Sequence, residues 1–271
     1  MKAPLLLGVD FTSAPGRRKP ITVARGELRA NGLQLAGIES CTDWASFEAV
    51  LARPGPWLGG FDFPFGLPRE LVVQLGWPQD WAGLIRHICR LGKPAFKTAL
   101  DGVRESRPLG SRYLHRACDG PARSHSPMKL VNPPVGLMFF EGAPRLLAAG
   151  VSLPALHTGD PQRIALEAYP ALLARRFTQA SYKSDARAKQ TAERCAARQQ
   201  IITGLRTGAA GLALELNPAL TGQLLDDASG DSLDAVLALV QTARAWQLRD
   251  AGFGLPAGVD PLEGWIIGCP G

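Results

Sequence analysis

Three observations predict an α/β fold for this chain. Short apolar runs alternate with stretches that carry apolar residues at helical spacing. An Asn31-Gly32 pair separates two strand-like runs. With 271 residues and 46% hydrophobic content, there is enough apolar surface to bury the core of one large domain. Residues 1–271 are read as a single domain with a helical and loop insertion at about 69–160.

Residues 4–10 are an apolar run ending in Asp10, a strand followed by a loop through Pro15-Gly16 and the basic group Arg17-Arg18-Lys19. Residues 21–28 and 33–39 are two further strands. Asn31-Gly32 joins them as an antiparallel hairpin, because both residues tolerate positive φ. Thr42 or Asp43 caps a helix with an apolar stripe at Trp44, Phe47, Val50 and Leu51, stopped by Pro54-Gly55-Pro56. Residues 57–68 are a fourth, buried strand running into a rigid turn, with Asp62 a lone acid among aromatics and prolines. A carboxylate there is costly unless hydrogen bonds, a cation or a metal compensate it.

Beyond residue 69 the pattern changes. A helical stripe at Trp81, Leu84, Ile85, Ile88 and Leu91 leads into Gly/Pro-punctuated sequence rich in Lys and Arg, read as a solvated face. Residues 124–136 are too polar and proline-rich for a regular element and form a long structured loop. Residues 163–168 are a fifth strand with Glu167 near its end, and a helix opens at Pro170. Residues 185–205 and, more weakly, 212–225 are helical. A last helix starts within residues 229–240: Ser229 or Asp231 is a good cap, and Leu233, Val236, Leu237 and Val240 give one apolar face. Residues 259–267 form a last strand or a segment closing over the site, with Glu263 a structural contact.

Composition excludes several classes. No apolar run approaches the 18 residues of a membrane helix, and Asp10 cuts off the N-terminal apolar patch, so neither a membrane span nor a secretory signal fits and a cytoplasmic protein is expected. Five cysteines without Cys-x-x-Cys spacing argue against a disulfide framework and a structural zinc site. A net charge of +6 is compatible with a polyanionic partner.

The order strand, hairpin, helix, strand, helical region, strand, helix is that of an RNase H-like core. Such a core has a mixed sheet with antiparallel strands 1–3 followed by parallel strands, and its first strand is central with the fourth beside it. Asp10 and Asp62 then emerge together at one edge. Asp231 and Asp234, three residues apart, point to one side of the last helix and close against them. Acids at that position also suit a helix N-terminus on electrostatic grounds alone. Four clustered carboxylates raise each other's pKa, whereas together they are a natural cradle for two divalent cations of the kind used in phosphodiester hydrolysis.

Gly8-Val9-Asp10, Phe61-Asp62-Phe63-Pro64, Leu166-Glu167-Ala168-Tyr169-Pro170 and Asp231-x-x-Asp234-Ala235 together resemble an uncharacterised domain family described as predicted nucleases with an RNase H fold. The last motif also resembles the final catalytic helix of Holliday junction resolvases. That resemblance implies that Asp10, Asp231 and Asp234 are metal-binding carboxylates, with Asp62 or Glu167 supplying the remaining acid. The resolvases carry a Glu at the end of the fourth strand, where this chain has Asp62.

The expectation is therefore a nuclease or related phosphohydrolase acting on nucleic acid or nucleotides, with Mg²⁺ or Mn²⁺ held by Asp10, Asp62, Asp231 and Asp234. Glu167 joins these acids in catalysis, and Lys129 and Lys183 contact phosphate. An actin-like or sugar-kinase-type ATPase shares the strand order, but no second Gly-rich phosphate turn follows a later strand. A non-catalytic nucleic-acid-binding module on the same fold is the third reading. His115, His125 and His157 have no partner at diagnostic spacing and read as surface or loop residues.

Overall fold

In the computed structural model, which describes residues 3–271, one sheet runs through the protein. Its strands are β1 (Leu5–Asp10), β2 (Ile21–Arg29), β3 (Gly32–Cys41), β4 (Trp57–Asp62), β5 (Val151–Ser152), β6 (Asp160–Glu167) and β7 (Leu214–Glu215), in the spatial order β5-β6-β4-β1-β2-β3-β7. The β1–β2 and β2–β3 pairs are antiparallel, and all other pairs are parallel. β1 is thus central with β4 at its side. The hairpin closes where Arg29 faces Gly32, and a Cβ on Gly32 would sit 2.3 Å from the Ala213 carbonyl, so a glycine is needed for that close approach.

The helices are α1 (Trp44–Leu51), α2 (Arg69–Gln74), α3 (Trp81–Leu91), α4 (Lys93–Ser106), α5 (Asp119–Ala122), α6 (Val135–Ala149), α7 (Pro170–Ala174), α8 (Ala192–Arg206), α9 (Pro218–Asp226) and α10 (Asp231–Gln247). Asp43 caps α1 by accepting the Ser46 N–H at 2.8 Å. Three sequence expectations shift. The helix expected over 185–205 begins only at Ala192, after Thr191 in extended conformation and a single tight turn at Arg187–Lys189. The weak helix over 212–225 divides into β7 and α9, with Asn217 capping α9 through the Leu220 N–H at 2.8 Å. Residues 259–267 contain no strand; Ile266 bridges Glu167, and the Ile267 N–H donates to the Glu167 carbonyl at 2.9 Å.

Alternation along the strands divides the apolar residues between two cores. Leu7, Val9, Trp57 and Phe61 face α1, α3 and α6, while Leu6 and Leu58 face α10. α10 is buried nearly all round rather than on one face, since the sheet covers one side and α7, α9 and the segment Arg249–Gly254 cover others. Each of its fully buried Leu and Val side chains contributes roughly 1.5–3 kcal/mol relative to exposure. Among the described residues, no helix is long and apolar enough to cross a membrane.

Two glycines let α10 lie directly on the strands. A Cβ on Gly8 of β1 would stand 2.1 Å from the Leu239 nitrogen and 2.2 Å from the Ala235 carbonyl oxygen. One on Gly60 of β4 would stand 2.2 Å from Thr242 Oγ1. Thr242 adds a polar tie, its hydroxyl lying 2.8 Å from the Ala238 carbonyl oxygen and 3.1 Å from that of Leu7.

Candidate functional site

Asp10 and Asp62 each stand two residues after one of those glycines, so strand alternation turns them to the face α10 occupies. They are direct register partners in the parallel β1–β4 ladder, about 4.8 Å apart along the hydrogen-bonding direction. Leu239 and Ala235 lie over Gly8. The first turn of α10, one turn nearer the helix start, therefore lies over the strand ends where Asp10 emerges. Asp10, Asp231 and Asp234 are all buried, and Asp234 has no solvent exposure.

The caps of α10 differ from the sequence expectation. The capping position is Gly230, in the left-handed region at φ 82°, and neither Ser229 nor Asp231 fills it. The cap is made instead by Asp227, whose carboxylate accepts the Ser232 N–H at 2.8 Å, the Ser229 N–H at 3.1 Å and the Ser229 hydroxyl at 2.5 Å. Asp231 and Asp234 are thereby left to other partners. Asp231 Oδ1 accepts from Lys19 Nζ at 2.7 Å, and Lys19 also reaches Asp185 at 3.0 Å. Asp234 accepts from Tyr182 Oη at 2.5 Å and pairs through its second oxygen with Lys183.

Four carboxylates thus face two ammonium groups. Burial, followed by repulsion from Asp234, drives the Asp10 carboxyl well above the usual carboxylate range, with Asp231 and Asp62 adding and Lys183 opposing. The same causes, burial first and Asp234 second, push Asp62 up to about 7. Burial also raises Asp231 against the pull of Lys19. Burial alone would lower Lys183, but Asp234, Tyr182 and Asp10 outweigh it and hold the ammonium well above the ordinary lysine value. Among the described residues, no hydrogen bond reaches the Asp10 or Asp62 carboxylate.

Glu167 and the two proposed phosphate contacts fall into different places. Glu167 lies close enough to Asp62 to raise its pKa, yet both of its oxygens are held by Arg116 at 2.7 Å, and one also accepts the Phe65 N–H at 2.9 Å. Arg116, expected on a solvated face, is 3% exposed and spends all its donors on Asp119, Glu167 and the Glu263 carbonyl. Glu263 is a structural contact, accepting the Arg69 and Ala117 N–H groups at 2.8 Å each. Lys183 joins the aspartates directly. Lys129 does not; its charge acts on His125, which lines the cavity next to Asp62.

That cavity measures about 340 Å³ and is bordered by Asp62 and Lys183. A smaller one of about 120 Å³ sits at the far end of α10 among Leu172, Arg244 and Phe253, away from the carboxylates. Among the described residues, no three His, Cys, Asp or Glu side chains converge tightly enough to make a ready cation cage. Two of the four aspartates are paired with lysines. The chemistry of the donor set nonetheless fits a hard divalent cation: it is all carboxylate oxygen, and Asp10 and Asp62 have no cation bonded to them.

Sequence reasoning missed Lys19, Tyr182, Arg116 and Asp227. Only Asp227 left a local signal, an acid a few residues before a helix start. No protein family, curated protein or solved structure matches the chain.

Proposed function

We propose that this protein is a divalent-metal-dependent phosphodiester hydrolase acting on nucleic acid or nucleotides, on an RNase H-like core. The observation that carries the reading is the meeting of Asp10 and Asp62, register partners at the ends of the central parallel strands, with the Asp231–Asp234 turn of a helix that needs neither acid as its cap. The strand order β3-β2-β1-β4-β6, antiparallel and then parallel, supports the fold assignment.

Asp10, Asp62, Asp231 and Asp234 would hold Mg²⁺ or Mn²⁺. When bound, such a cation supplies positive charge to a phosphoryl group and makes a nearby water more acidic. The chain's own residues do the rest. Lys183 and Lys19 pair with Asp234 and Asp231, and Lys183, which also borders the cavity, would meet a phosphate oxygen. Tyr182 holds the Asp234 carboxylate in one orientation. The Arg116–Glu167 pair anchors the end of β6 beside Asp62, so Asp62 serves as the fourth acid and Glu167 as its support.

The test is direct. Purified protein is titrated with Mn²⁺ by calorimetry and incubated with single-stranded, duplex and branched DNA and RNA. Metal binding and cleavage are expected, both reduced by at least about tenfold in Asp10→Asn. Absence of cleavage on every substrate, with Mn²⁺ binding unchanged in Asp10→Asn, would sink the reading.

A further inference from the structure

We infer that the cavity beside Asp62 is a pocket for a single unstacked nucleobase, so that the substrate is a single-stranded, frayed or flipped-out strand rather than continuous duplex. This deepens the phosphodiester reading and rests on it for the position of the phosphate.

The cavity shares Asp62 and Lys183 with the carboxylate cluster, so a base lying in it would carry its attached phosphate toward Lys183. At about 340 Å³ it falls at the lower end of small-molecule sites, which span about 300–1,000 Å³, and admits one nucleoside rather than a stacked pair. Its walls are mostly apolar and include Phe63, Pro64, Val135, Met138 and Tyr169. Charge decides what enters. Arg116 lines the cavity, but all of its N–H groups are already donated within the protein, so it offers nothing to an anion. Glu167 is paired with Arg116, so Lys183 at the edge is the cation left for the attached phosphate, and the rest of the wall offers no charge to pair with a second anion.

What fits is an uncharged, flat group with a few polar edges. His125 supplies a polar contact: burial, then Lys129 and His115, hold its imidazole below its ordinary pKa, leaving one donor and one acceptor nitrogen. Apolar and aromatic walls with a few edge-reading groups are how proteins receive a base taken out of its stack.

The full-length protein in EDTA is titrated by calorimetry with adenosine, guanosine, cytidine and uridine, with ribose as control. Saturable binding of at least one nucleoside at millimolar concentration or below is expected, without ribose binding, and about tenfold weaker binding in Met138→Trp, which fills the cavity. Val135→Phe narrows the same space from a second position, and circular dichroism verifies that each variant is folded. No saturable nucleoside binding, or equal affinity in wild type and both folded variants, overturns the pocket. With Mn²⁺ present, single-stranded oligonucleotide is expected to be cut about tenfold faster than the matched duplex. Nucleoside binding without any cleavage would overturn the hydrolase reading and keep the pocket. Equal cleavage of both substrates without nucleoside binding would do the reverse.

Discussion

Asp10 and Asp62 face each other in the β1–β4 ladder, both on the side covered by α10, and no hydrogen bond within the described residues relieves either carboxylate. Two unrelieved acids side by side in a partly buried site cost stability when both are ionised. Asp62→Asn is therefore expected to stabilise the metal-free protein at pH 8, by about 1–2 kcal/mol once its partial contact with solvent is allowed for.

The pH dependence follows from the sign. Asp62 titrates near 7 in the folded protein and near about 3.9 when unfolded, so the native state binds its proton more tightly. Its contribution to stability is complete below about pH 4 and is lost as pH rises to about 7. Urea midpoints in EDTA from pH 4 to 8 should fall less steeply in Asp62→Asn than in wild type. Parallel curves would remove the argument.

The two lysines should behave differently. They are about equally exposed, but Lys183 pairs with a carboxylate that has no solvent exposure, whereas Lys19 is shared between Asp231, which keeps some contact with solvent, and an exposed Asp185. Lys183→Met leaves a buried charge with only Tyr182 for support and is expected to cost about 1–3 kcal/mol, less than a fully enclosed pair because Lys183 keeps contact with solvent. Lys19→Met should cost about 0–1 kcal/mol. Chemical denaturation of both variants gives the comparison, and the opposite ranking would refute this account of the cluster.

These relationships were unequally legible in the sequence. The Asn31-Gly32 hairpin, the Asp43 cap and the run into α10 depend on neighbours a few residues away, so local pattern suffices to find them. The adjacency of Asp10 and Asp62 needed only the order of the strands. The partners of the acids were hidden, because Lys19 reaches across 212 positions to Asp231 and Arg116 across 51 to Glu167. Nothing in a run such as Arg17-Arg18-Lys19 marks which cation turns inward.

Gly8→Ala tests the contact that sets the site. The added methyl meets α10 backbone at 2.1 and 2.2 Å, with no flexible side chain to yield, so the helix must lift from β1 and carry Asp231 and Asp234 with it. A loss of about 3 kcal/mol or more, or failure to fold, is expected. Gly37→Ala on β3, whose nearest neighbour would be the Arg25 side chain at 3.7 Å, should stay within about 1 kcal/mol. Equal thermal midpoints for the two variants would show that α10 does not depend on the glycine.

Asp227 separates capping from chemistry at the start of α10. Its carboxylate satisfies the Ser232 N–H and orders Ser229, so Asp227→Ala removes the cap and should cost about 1–2 kcal/mol. The carboxylates of Asp231 and Asp234 remain in that variant, and Mn²⁺ affinity should hold within about threefold of wild type, measured below the unfolding transition. Asp231→Asn should do the opposite. It removes one of the repelling acids and keeps the backbone donors capped by Asp227, so stability changes by less than about 1 kcal/mol while Mn²⁺ binding weakens by about tenfold or more. If Asp231→Asn instead unfolds the protein as readily as Asp227→Ala and leaves Mn²⁺ binding intact, then Asp231 is a helix-start residue and the carboxylate cluster loses its claim to a metal.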